Sequence, residues 1–134
     1  MKRALALALA AAALSACDLL SGNFRLTGTV ELSAGLRARA PKQNAMLFVI
    51  AENAGGVPVA MQRIVNPDFP APFEMGPAEL LVPAVSSRAP LTVRAMMNTR
   101  GDVGAPHPGD IVGAAPGTFS PGAEGISVIL DHVR

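Results

Sequence analysis

Few residues in this chain are of a type that does chemistry. There is one cysteine, Cys17, and there are two histidines, His107 and His132. His107 stands between Pro106 and Pro108 in a loop, and His132 sits in the last strand-like stretch. Two histidines open a metal site only if methionine or carboxylate completes the ligand set, and a blue-copper centre needs a thiolate beside them. The sole cysteine ends an apolar leader, which closes that option. A Cu(I) site from Met46, Met61, Met75, Met96 and Met97 stays open, although mid-strand methionine is more often adaptable core filler. Ser86-Ser87 lacks the flanking glycines of a nucleophile elbow. No carboxylate pair is spaced for acid–base work, no glycine loop opens a helix for phosphate, and no C-x-x-C-H attachment motif occurs. The chain is expected not to be an enzyme and to carry no cofactor, metal or small-molecule substrate.

The cysteine has a different chemistry. Lys2 and Arg3 supply a short positive region, and Ala4 to Ala16 carry no charge. A spanning helix needs about 20 apolar residues to cross roughly 30 Å of hydrocarbon, so this run is too short for a permanent anchor and reads as an export signal. Leu14-Ser15-Ala16-Cys17 resembles the bacterial lipobox, in which the cysteine becomes the lipidated first residue. A simple signal peptide with an incidental cysteine and a buried core helix are the competing readings. Several acyl chains at about 0.8 kcal/mol per buried methylene anchor a protein where one does not. Asp18 resembles the sorting residue that retains such proteins at the inner membrane, so the expected address is the periplasmic face of the cell envelope, with the inner membrane favoured over the outer.

Loss of residues 1–16 takes Lys2 and Arg3 with it and turns the formal charge from +1 to −1. A near-neutral chain with scattered arginines has no electrostatic footprint for nucleic acid. Trp and Tyr are absent and only 5 Phe occur, which argues against stacking platforms for sugars or single strands. With the cysteine acylated no disulfide can form, and an apolar core must hold the fold.

The elements follow from alternation and turn residues. "FRLTGTVEL" places Phe24, Leu26, Val30 and Leu32 on one face, with Gly28 on the same phase, where glycine marks a bulge or another backbone approaching closely. "SAGLRARAPKQN" is a loop with one helical turn around Leu36. "AMLFVIA" (45–51) is apolar throughout and reads as a strand covered on both faces. "VPVAMQRIV" (57–65) aligns Val57, Val59 and Met61 on one face, Pro58 places its start near an edge, and "ENAGG" joins the two as a hairpin. "FEM" makes a short strand, and Pro77 with Glu79 allows one helical turn. "LTVRAMMN" turns Leu91, Val93, Ala95 and Met97 inward. Arg100-Gly101-Asp102 is turn chemistry, a short strand surrounds Ile111 and Val112, and Asp110 hydrogen-bonds local amides. "ISVILDHV" is the last strand. About seven short strands without a helical period specify an all-β fold, an immunoglobulin-like antiparallel β-sandwich. The domain boundaries read as 1–16 signal peptide, 17–23 lipidated terminus and linker, and 24–134 sandwich.

The order of "GTVELSAGL", "NAMLFVIAENAGGVPVAMQRI", "FPAPFEM", "LTVRAMMNTRGDVGAPHPGDIVG" and "PGAEGISVIL" resembles the C-terminal Ig-like domain of cytochrome c-type biogenesis proteins of the CycH kind. The match runs from about Thr27 to Leu130, and its most specific stretch holds Gly101, Pro106, Pro108, Gly109, Asp110 and Gly113. The resemblance implies the sandwich, a periplasmic address and an association with c-type cytochrome maturation proteins. Family members also carry membrane helices and tetratricopeptide repeats; no 34-residue helical period is visible here. A longer Met-rich middle segment is replaced by "EMGPAELLVPAVSS".

Three readings of function stand side by side. The first is a membrane-tethered, non-enzymatic protein-binding module accessory to c-type cytochrome biogenesis. The second is a general structural lipoprotein of the envelope, and the third a Met/His copper-handling protein. The membrane lipid is a partner through acylated Cys17. The candidate partner-binding loops are 53–56 and 100–110, with Arg100, Asp102, His107 and Asp110.

Overall fold

The computed structural model describes residues 19–134. The expected signal peptide at 1–16, and Cys17 and Asp18, the expected lipidation and sorting residues, lie outside the described residues. No helix among the described residues is long and apolar enough to cross a membrane.

The chain opens with a two-residue strand β1 (Leu19–Leu20) and continues into β2 (Leu26–Leu32). A single 3₁₀ turn at Ala34–Leu36 sits where Leu36 was expected to nucleate one. The hairpin β3 (Met46–Glu52) and β4 (Pro58–Val65) follows, then β5 (Ala71–Met75), a second 3₁₀ turn at Pro77–Glu79, and β6 (Val85–Ser86). The strands β7 (Thr92–Asn98), β8 (Ile111–Ala114), β9 (Ile126–Leu130) and β10 (His132–Val133) complete the order. Seven of these strands run four residues or more, in line with the count read from the alternation.

Two sheets face each other. One has the order β10-β8-β7-β3-β4 and the other β5-β2-β9, while β1 and β6 form a small ladder of their own. Their inner faces bury Leu47, Val49, Val93 and Met97 from the first sheet against Val30, Phe73, Val128 and Leu130 from the second. β3 lies between β7 and β4, and both its faces are covered, Leu47, Val49 and Ala51 in the main core and Phe48 and Ile50 in a second cluster, which is why its sequence is apolar throughout rather than alternating.

Gly28 sits opposite Phe73 and Ile126 in the ladders of β2. A Cβ there would run into the Ile126 carbonyl and come within 2.8 Å of the Phe73 ring edge. The close backbone approach expected at that glycine is therefore present.

The structure corrects the sequence reading in four places. First, the pairing is not antiparallel throughout, because β2 and β9 run parallel. Second, "ISVILDHV" is two strands: β9 belongs to the three-stranded sheet and β10 crosses to pair with β8 in the other. Third, Val57, Val59 and Met61 do not share a face. The register jumps from Ala51↔Ala60 to Glu52↔Pro58, so Val59 is the extra residue of a bulge, which shifts the side-chain phase by one. Val59 and Ala60 both reach the main core, Val57 is 52% exposed, and Met61 packs on the outer face. Fourth, "FEM" extends to the five residues of β5, because Ala71 and Pro72 continue the ladder with Val30 and Thr29.

Candidate functional site

The outer face of the five-stranded sheet is where the fold departs from a simple two-layer sandwich. Register sets Phe48 between Arg63 on β4 and Met96 on β7, and Met96 beside Val112 on β8. This side of a sandwich ordinarily meets water. Here Phe48, Ile50 and Met96 are no more than 2% exposed, with Met46, Met61 and Val112 packed around them.

The cover includes the segment that joins β7 to β8. Gly101, at φ +78, would place a Cβ 3.9 Å from the Met46 side chain. Val103 and Gly104 line an apolar pocket of about 340 Å³ with Ile50, Pro58, Met61 and Leu81. Pro106 lines a neighbouring pocket of about 550 Å³ with Val112, Gly113 and His132. Arg94 borders both pockets, and its Nε donates to the Glu52 carboxylate. The loop thus runs back over the sheet as a strap.

A polar clasp holds the strap at its base. The Arg100 guanidinium donates two parallel hydrogen bonds to the Asp110 carboxylate, both 2.8 Å. This fork geometry is the strong form of an ion pair. The other Asp110 bonds secure both ends of the turn: its Oδ2 accepts from the His107 amide at 2.9 Å, and its own amide donates to the His107 carbonyl at 3.1 Å. Arg100 Nε also reaches Asp102 at 3.1 Å. Asn98, buried at the end of β7, accepts from the Gly101 amide and donates to the Asp102 carbonyl, each at 2.9 Å. The C-terminus joins in, with Gly109 N–H donating to the Arg134 carbonyl and Arg134 N–H to the Asp110 carbonyl.

The electrostatics follow from this geometry. The hydrogen bonds from Arg100 hold the Asp110 carboxyl below its ordinary range, against burial, which alone would raise it. The same contact raises Arg100 above its already high value. Both groups are charged throughout the physiological range.

Of the residues marked from sequence, Arg100, Asp102, His107 and Asp110 are brought together. Asp110 is only 2% exposed, so it shapes the loop from within, while Asp102 and His107 face solvent. The loop at 53–56 lies elsewhere: Glu52 pairs with Thr92 at one end of the sheet, and Asn98 pairs with Met46 at the other. His132 is exposed and bonds Asp131 at 2.7 Å. The methionines are divided by the sheet, with Met75 and Met97 in the main core and Met46, Met61 and Met96 on the outer face. Among the described residues no three His, Cys, Asp or Glu side chains group closely enough to hold a metal ion. The Ser86 hydroxyl accepts from the Arg88 amide at 3.3 Å.

Sequence reasoning found the local Asp110 bond and missed the clasp. The available signal was one arginine and two aspartates among turn residues within eleven positions. Neither the pairing partner nor the folding back of the loop is written in that spacing.

The family model for the cytochrome c-type biogenesis protein H Ig-like domain matches residues 26–131. No curated protein and no solved structure matches the chain.

Proposed function

The chain belongs to the family of the cytochrome c-type biogenesis protein H Ig-like domain, and on that premise we propose that it serves c-type cytochrome biogenesis as a membrane-tethered, non-enzymatic module that binds and assembles other proteins. The observation that carries this reading is the extent of the match, from the first residue of β2 to the residue after β9. In this reading Cys17 bears the acyl chains and Asp18 keeps the protein at the periplasmic face of the inner membrane. The tether raises the effective concentration of the sandwich near membrane-bound partners without any new contact. The outward side of the clasped strap, with Asp102 and His107, is the contact surface, and the Arg100–Asp110 pair fixes its shape. Loops set on a rigid scaffold are where such contacts usually lie.

Capture from detergent-solubilised membranes after mild cross-linking tests this directly. Cytochrome c maturation proteins are expected to be enriched over a Cys17→Ser control, which is expected to leave the membrane fraction. Enrichment of only cell-wall or outer-membrane proteins would contradict the reading.

A further inference from the structure

One row of side chains crosses the outer face of the five-stranded sheet. Register sets Met61 on β4 beside Ile50 on β3, Ile50 beside Arg94 on β7, and Arg94 beside Ala114 on β8. The first three of these line the apolar pocket of about 340 Å³. Its other walls come from distant chain. Leu81 stands at the edge of β4, where its amide donates to the Val59 carbonyl at 2.9 Å, and Val103 and Gly104 come from the strap. Leu81 is 54% exposed and Val103 41%. Two of the five large apolar side chains left exposed among the described residues thus meet at one concavity. Single exposed apolar residues need no explanation, whereas gathered ones do.

Arg94 is the only polar side chain in that lining. The Nε edge of its guanidinium is taken by Glu52. A guanidinium carries five N–H donors, and among the described residues no protein acceptor takes a hydrogen bond from either Nη. Those donors meet water beside the pocket, the Arg94 side chain being 32% exposed. The other pocket that Arg94 borders also holds Asp131, His132 and Arg134, so the apolar cavity lies on one side of the guanidinium only.

We infer that this pocket binds an alkyl carboxylate, with the chain over Ile50 and Met61 and the head group on the Arg94 Nη donors. Two carboxylates, that of Glu52 and that of the ligand, then occupy different edges of one guanidinium, a planar fork suited to such contacts. The lining favours this ligand over a protein segment. A peptide would bring several N–H and C=O groups onto a wall with one polar side chain, and each group left without a partner costs free energy. An alkyl chain has none to satisfy. The volume is at the small end of the roughly 300–1,000 Å³ usual for ligand pockets, which fits one chain of medium length.

The test titrates octanoate into the purified full chain labelled with ¹³C at its methionine methyls. Met61 alone among the described methionines lines the pocket, while Met75 and Met97 lie in the main core and report that the chain stays folded. The Met61 signal is expected to shift saturably, with a dissociation constant on the order of 1 mM for a ligand of this size. Affinity is expected to rise about two- to fourfold for each methylene added from hexanoate to octanoate. Octanol, lacking the charge, is expected to bind about tenfold more weakly. Arg94→Gln is expected to bring octanoate down to the level of octanol, and Leu81→Asp, at an exposed position, to abolish the shift. Met61 unmoved at about ten times the expected constant overturns the site. A shift that survives Leu81→Asp places the ligand elsewhere and also overturns it. Equal binding of octanol, or no change with Arg94→Gln, overturns the role of the guanidinium and with it the carboxylate. Tighter binding of N-acetyl-leucinamide than of octanoate assigns the pocket to a protein side chain and overturns the alkyl ligand.

Discussion

Gly113→Ala is expected to lower the unfolding free energy by about 3 kcal/mol, the upper part of the range for overpacking a dense core. The reason is the crossing of β9 beneath β8. A Cβ at Gly113 would run into the Ile129 carbonyl and stand 3.0 Å from Leu130 Cα. Both obstacles are backbone, so no rotamer change relieves them. The chain would have to move β9 away from β8 and with it the start of β10, which pairs with Val112 and Ile111. Against a total stability of about 5–15 kcal/mol, that is a large share. Gly35→Ala is the control, because nothing lies within 4 Å of its Cβ position. It should be neutral or gain about 0.4–1 kcal/mol through the unfolded state. Urea unfolding followed by far-UV circular dichroism reads both, and equal stabilities would mean that β8 and β9 do not cross as described.

Phe48→Ala is expected to cost about 3–5 kcal/mol, the value for a buried phenylalanine. An exposed residue on the outer face of a sandwich would cost within about 0.5 kcal/mol. Burial separates these outcomes: Phe48 is 2% exposed and clusters with Met46, Ile50 and Met61, the side chains that the strap borders. Loosening its base with Asp110→Asn removes a charge-assisted pair whose partner side chain remains 37% exposed. After solvent screening that substitution costs on the order of 1–2 kcal/mol. The two substitutions share the strap and should be less than additive. The pH dependence has a definite sign. Asp110 titrates lower in the folded chain than in the unfolded one, so its contribution is full above the unfolded value near 4 and fades as pH falls through the folded value. The gap between wild type and Asp110→Asn should therefore close in acid. A gap that widens in acid would show that the carboxylate does not stabilise the fold.

How much of this was legible in the sequence divides along physical lines. Alternation with period two is local, so the inward faces of "LTVRAMMN" and of "FRLTGTVEL" could be read directly. Pro77, Glu79 and Leu36 marked their single helical turns because caps and fixed φ are also local. Sheet partners depend on distant chain. Nothing in "ISVILDHV" tells that Asp131, whose amide reaches the Val112 carbonyl, is where the strand changes sheets. A bulge shifts phase by one residue without changing composition, so Val57 and Met61 do not share the face of Val59 that the alternation predicts for all three. The outer cluster around Phe48 was visible only as an unusually apolar β3. The clasp between Arg100 and Asp110 needed a loop that folds back, and turn residues give its presence but not its path.

The central claim is a role in c-type cytochrome biogenesis, and covalently bound haem on c-type cytochromes tests it most directly. The amount would be read by haem-peroxidase staining of membrane and periplasmic fractions from cells lacking this chain. The expected result is a clear loss of stain, restored by the wild-type chain and not by Cys17→Ser. Normal covalent haem in the deletion, alongside an envelope defect or none, would contradict it.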